Sequence, residues 1–97
     1  MATFIATLRF TEQGFASIRE SGARAAAFKN AAKKLGVKVT GSYWTQGAFD
    51  GVLILEAPDD ETATAALLHL GSQGNVRTQT TRAYDAAEME KILAKVT

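Results

Sequence analysis

The sequence predicts an α+β domain in which helices cover one face of an antiparallel sheet. Three observations predict it. Stretches with the two-residue period of strands alternate with stretches of helical period in the order β-α-β-β-α-β, and one more helical stretch follows. Only four residues, TQGA (45–48), separate the second strand from the third, which is short enough for an antiparallel hairpin alone. The third strand, VLILEA, is apolar at consecutive positions, so both of its faces want cover.

Taken in order, TFIATLRF (3–10) alternates loosely and carries β-branched and aromatic types, as a short strand does. Thr11 before EQGF is an N-cap with Glu12 in the first turn. From Glu12 to Leu35 the apolar positions Phe15, Ile18, Ala25, Phe28, Ala32 and Leu35 recur at helical spacing. Ser21 and Gly22 interrupt them, which predicts two helical segments or one kinked helix. Two lysines, then Leu35 and Gly36, form a helix end, with cations in the last turn and a residue that accepts positive φ behind them. VKVTGSYW (37–44) and FDGVLILEA (49–57) are the hairpin strands, and Gly47 supplies the positive φ of their turn. Pro58 stops the third strand, and DDE (59–61) caps the helix TATAALLHLG (62–71), closed by Gly71. NVRTQTTRAY (75–84) reads as an edge strand of low apolar content. DAAEMEKILAKV (85–96) is a last helix capped by Asp85, with Met89, Ile92, Leu93 and Val96 on one stripe.

This order is the split βαβ of a ferredoxin-like sandwich with an extra C-terminal helix, in which right-handed crossovers place strands one and three at the centre. The helices cover one face only. A second copy of the same sheet is the expected cover for the other, since packing about a twofold axis is self-complementary, and the last helix is a candidate clamp for the pair.

With 97 residues the chain is one domain, residues 1–97, large enough for a modest core without staples. Its 46% apolar and 22% charged residues exclude a disordered chain. Eleven basic against 10 acidic residues are scattered along the sequence and form no basic stripe, so nucleic acid is not an expected partner. No cysteine is present, which excludes thiolate chemistry, disulfides and Cys-based zinc sites. MATFIATLRF has neither a basic n-region nor a long apolar run, so no signal peptide, membrane span or membrane partner is expected, and the cytoplasm is the expected location.

Tracing the strands brings Arg9, Trp44, Asp50, His69 and Arg77 to one end of the sheet, within about 10 Å at roughly 3.3 Å rise per residue. Asp50 is expected beside Arg9 on the adjacent strand, either as a structural ion pair or as a carboxylate that faces a ligand or acts as a general base. His69, the single histidine, is either a helix-terminal residue complementing the dipole or a proton carrier. One histidine does not make the usual zinc or copper set, and no metal or cofactor is expected. Of Tyr43 and Trp44, strand alternation sends one towards the helices and the other to the open face, as an interface anchor or a wall for a planar ligand. GSQGN (71–75) has two glycines but follows a helix instead of opening one, so it is a C-cap and turn and not a phosphate loop. Walker, Rossmann, G-x-S-x-G and H-E-x-x-H patterns are absent.

The segments FIATLRFTEQG, YWTQGAFDGVLILEAPDD and LGSQGNVRTQTTRAY together resemble the GYD domain family, small bacterial proteins named for a Gly-x-Tyr-Asp signature. The resemblance covers almost the whole chain. Here the signature reads GAFD, so Gly47 and Asp50 match while Phe49 stands for the tyrosine and no phenolic hydroxyl is available. The family's resemblance to dimeric α+β barrel proteins implies a small homo-oligomer, a dimer first of all, with a cleft between sheet and helices. Fold analogy of that kind spans many chemistries. The expected function is a small-molecule-binding or sensory module with its cleft near the hairpin between the second and third strands, lined by Arg9, Trp44, Asp50 and Arg77. A cofactor-independent enzyme using Asp50 or His69 for proton transfer is the alternative, and a structural or interaction protein the third reading.

Overall fold

The computed structural model describes residues 1–97. Four strands, β1 (Ala2–Phe10), β2 (Lys38–Trp44), β3 (Gly51–Ala57) and β4 (Val76–Ala83), form one sheet in the order β2-β3-β1-β4. Every neighbouring pair is antiparallel, so β1 and β3 are central as the connection rules require. The helices are α1 (Glu12–Ala16), α2 (Ser21–Lys34), α3 (Asp60–Ser72) and α4 (Ala86–Leu93). None is long and apolar enough to cross a membrane.

Alternation decides which side chains meet the helices. Phe4 and Ala6 of β1 and Leu53, Leu55 and Ala57 of β3 are buried, and they pack against Phe28 and Ala32 of α2 and Ala63, Ala66 and Leu67 of α3. The helical residues recur at three- and four-residue spacing, which puts them on one stripe. The intervening strand residues Ile5, Val52, Ile54 and Glu56 lie on the other face, where no helix covers them, and Ile5 keeps 37% of its surface exposed. In β2 a register shift between Val39 and Gly41 changes the alternation, so that Val39 packs on the core and Tyr43 stands on the open face opposite Val52.

Thr11 caps α1 as expected, its hydroxyl accepting the Gly14 amide at 3.1 Å. The break in the long helical stretch falls earlier than Ser21 and Gly22. At Ser17 the backbone leaves helical geometry, and a 3-10 turn over Ile18–Glu20 leads into α2. Arg24 explains how this break is tolerated: its guanidinium donates to the Ser17 carbonyl at 2.8 Å and the Gly14 carbonyl at 3.3 Å, satisfying acceptors that a continuing helix would have used.

Gly36 and Gly47 take the positive φ values expected of them. Gly71 does not close α3, which runs to Ser72; the left-handed position is Gly74, after the cap residue Gln73. The hairpin connection is longer than four residues, because β3 begins at Gly51 and Phe49 and Asp50 lie outside the ladder. Asp59 and Asp85 cap α3 and α4, the latter in a reciprocal capping box with Glu88. Arg82 lies 5.6 Å from the Phe4 ring centroid and 4.6 Å from that of Tyr84, and it pairs with Glu88 at 3.2 Å. These contacts hold α4 to the end of the sheet, yet α4 buries none of its residues and leaves Met89 and Leu93 exposed.

Candidate functional site

At the β2–β3 hairpin end of the sheet, α2 and the end of α3 leave a cavity of about 50 Å³ above the strands. Its walls are mainly apolar, with Leu8, Phe10, Phe28 and Leu53 among them, and its polar groups are Ser21, Arg24, Ser42, Asp50, Gln73 and Asn75. That volume has room for a few water molecules, at roughly 10–15 Å³ of accessible volume each.

Trp44 forms one side of the mouth. Its indole Nε1 donates to the Ser21 hydroxyl at 3.1 Å, which ties the tip of β2 to the start of α2. That bond is exposed, and 53% of the Trp44 surface faces solvent. A single exposed hydrogen bond, worth about 1 kcal/mol net, thus holds the indole at the mouth. Tyr43, the preceding residue, points to the opposite face, as alternation demands.

Asp50 lies just before β3. Its amide donates to the Leu8 carbonyl at 2.7 Å, its carbonyl accepts the Thr45 amide at 2.9 Å, and its carboxylate Oδ2 accepts the Phe10 amide at 2.9 Å. The carboxylate thus extends the β1–β3 pairing by one bond where the β3 backbone bends away. It forms no ion pair with Arg9, contrary to the expectation from the sequence. The reason is the pleat: Arg9 belongs to the exposed face of β1, while the Asp50 carboxylate turns towards the Phe10 amide and the cavity on the helix side.

The remaining residues expected at this end are divided between surfaces. Arg9 and Arg77 are opposite each other in the β1–β4 register and are exposed on the uncovered face, so they share the sheet end with Asp50 and not its cavity. His69 is exposed and lines a separate groove with Phe28, Leu35 and Ala66, where its Nε2 lies 3.4 Å from the Gln73 amide nitrogen. Only Trp44 and Asp50 meet in one pocket. No three His, Asp or Glu side chains converge as a metal-binding group.

Sequence reading missed Arg24 and Ser21, and it brought Gln73 and Asn75 to this end of the sheet without assigning them to the site. Ser21 and Arg24 are one turn apart on α2 and flank its apolar stripe, a spacing that carries the only advance signal. Gln73 and Asn75 arrive through the turn after α3, which is fastened to α1: the Thr11 hydroxyl donates to the Gly74 carbonyl at 2.6 Å, and Gln13 Nε2 donates to the Gln73 carbonyl at 3.1 Å and Asn75 Oδ1 at 3.0 Å. The two glycines of GSQGN thus serve a helix end and a turn, with no helix N-terminus behind them.

A family model described as the GYD domain matches residues 4–93. A Thermus thermophilus protein named glutamine synthetase and cystathionine beta-lyase binding protein is 32% identical over 90 residues, covering 92% of this chain and 95% of that protein. The crystal structure of a protein from Thermus thermophilus superposes with a TM-score of 0.58 at 25% identity over 89% of this chain and 96% of that one. A feast or famine regulatory protein from M. tuberculosis, solved with L-methionine, gives a TM-score of 0.68 at 15% identity over 89% of this chain and 52% of that one. MtbAldR gives 0.62 at 17% identity over 87% of this chain and 53% of that one. The chain spans about half the length of these last two, and at such identities the fold is what they share.

Proposed function

The chain belongs to the GYD domain family, and on that premise we propose that it is a homo-oligomeric binding or sensory module of the cytoplasm, taking a small molecule in the cavity between Trp44 and Asp50. The observation that carries this reading is the Asp50 carboxylate. It borders a mainly apolar cavity, no cation lies within ion-pairing distance, and one of its oxygens is committed only to the Phe10 amide. A few fixed polar groups in an apolar concavity are the usual form of a small-molecule site. Because the closed volume is far below the roughly 300 Å³ of ordinary ligand sites, binding requires Trp44 to open. Support for self-association comes from Ile5, Tyr43, Val52 and Ile54 on the face without helices, and from the exposed apolar stripe of α4.

Native mass spectrometry of the protein purified without denaturation tests both parts. The expected result is a multimer with an extra small-molecule mass that disappears in Asp50→Asn. A monomer overturns the oligomer, and a multimer with nothing bound overturns the ligand.

One observation favours a second reading, an interaction protein. The T. thermophilus relative is named for binding two enzymes, and that name covers a protein matched along nearly its whole length. Light scattering of the chain mixed with a purified glutamine synthetase tests it, and an unchanged enzyme mass at micromolar concentrations of both proteins overturns it.

A further inference from the structure

The even charge balance of the sequence is uneven in space. From Ser21 to Phe49 the chain carries Arg24, Lys29, Lys33, Lys34 and Lys38 and no acid. Lys29 and Lys33, one turn apart on α2, and Lys38, which opens β2, border a groove of about 700 Å³ whose other lining residues include Asn30, Val37 and Val39. All three lysines are exposed, and none forms an ion pair, the Arg82–Glu88 pair at the opposite edge of the sheet being the only one in the molecule. Lys33 and Lys34 have a local role, since cations suit the last turn of a helix. That role does not reach Lys29, beyond the last turn of α2, or Lys38, whose cross-strand neighbour Glu56 it does not bridge.

Two features define what fits. The floor is apolar, with Val37 2% exposed and Val39 packed on the core, while the rim is cationic. The strand beside it, β2, is an outer strand of the sheet, so one side of its backbone has no strand neighbour. An extended chain laid along such an edge gains main-chain hydrogen bonds as well as side-chain contacts. The groove has no aromatic lining residue, which removes the stacking platform that single-stranded nucleic acid uses.

We propose that the groove between α2 and the start of β2 is a docking site for an acidic, extended segment of a partner protein. This rests on the interaction reading above and concerns a surface separate from the Trp44–Asp50 cavity. The lysine rim selects aspartate- and glutamate-rich chain, and the free edge of β2 supplies main-chain partners.

The test is titration of the full chain with fluorescein-labelled oligo-L-glutamate, followed by anisotropy and by amide NMR shifts, with inorganic polyphosphate as the competing probe. The expected shifts concentrate in the Lys29–Val39 region. Lys29→Gln, Lys33→Gln and Lys38→Gln together weaken binding about tenfold, as three exposed ion pairs of ordinary strength would. Raising salt from about 0.05 to 0.5 M weakens it further, since these charges are open to screening. Lys33→Gln removes a cation from the last turn of α2, so the triple variant is expected to melt slightly lower; Lys29→Gln with Lys38→Gln, which leaves that turn intact, keeps the melting temperature and is read beside it. Shifts centred on Arg9 and Arg77, or unchanged affinity in the triple variant, overturn the location. Polyphosphate binding the groove as tightly as the peptide reduces it to an anion site and overturns the proposal. A changed subunit count in the triple variant assigns the groove to a second copy of the chain and also overturns it. No binding of the peptide at all counts against the interaction reading itself.

Discussion

The Asp50 carboxylate accepts the Phe10 amide at 2.9 Å, so a side chain takes over the ladder bond that the β3 backbone gives up as it bends into the hairpin. Asp50→Ala leaves a partly buried N–H unmatched and is expected to cost about 1–2 kcal/mol. Asp50→Asn keeps an acceptor oxygen and should cost less than about 1 kcal/mol. Urea denaturation of both variants checks the order. Equal losses would mean that the charge, and not the acceptor, holds the strand end.

Gly14 lets α1 lie against the Asn75 backbone, since a Cβ there would run into the Asn75 carbonyl. Gly14→Ala is expected to destabilise by about 2–3 kcal/mol despite the helix propensity that alanine adds. Gly22→Ala, where nothing lies within 4 Å, is the control and should be neutral or slightly stabilising. Thermal melts of the pair decide it, and similar melting points for the two would show that the turn after α3 yields freely.

Ile5 and Ile54 face each other across β1 and β3 on the uncovered side of the sheet. Ile54→Lys puts a charge at the centre of that face while leaving the helix-side core untouched. The expected outcome is a lower subunit count by light scattering with unchanged circular dichroism. Retention of the wild-type mass would place the interface elsewhere, with α4 the next surface to substitute.

Glu88 titrates below the ordinary glutamate value, first because it accepts the Asp85 amide and next because the Arg82 guanidinium lies against it; the charge of Asp85 and partial desolvation oppose both. A folded value below the unfolded one means that the ionised form is favoured by folding. Its contribution is complete above the unfolded glutamate pKa of about 4.3 and is lost as pH falls through the folded value. Glu88→Gln should therefore melt lower than the parent at neutral pH, with the gap closing in acid. A gap that is constant with pH would assign the effect to geometry and not to charge.

By itself the sequence determined the elements and their order. Periodicity, caps and turn residues are local properties, so Thr11, Asp59 and Asp85 could be read as caps and Gly36 and Gly47 as left-handed positions before any contact was known. Topology followed from connection rules. The site was legible only in outline. The end of the sheet was right for Arg9, Trp44, Asp50 and Arg77, because strand direction fixes ends.

Only the tertiary structure decided the faces. Arg9 and Asp50 are separated by the pleat, so the anticipated ion pair gives way to a carboxylate on the Phe10 amide. His69 turns to another groove because its position on α3 depends on how that helix lies across the sheet. Arg24 enters the cavity wall because of a helix break at Ser17 that no local signal places there. The lysine groove likewise needs α2 laid beside β2. Which side chains converge depends on orientation between elements, and orientation is set by packing across the whole domain, whereas a sequence window records only its own neighbours.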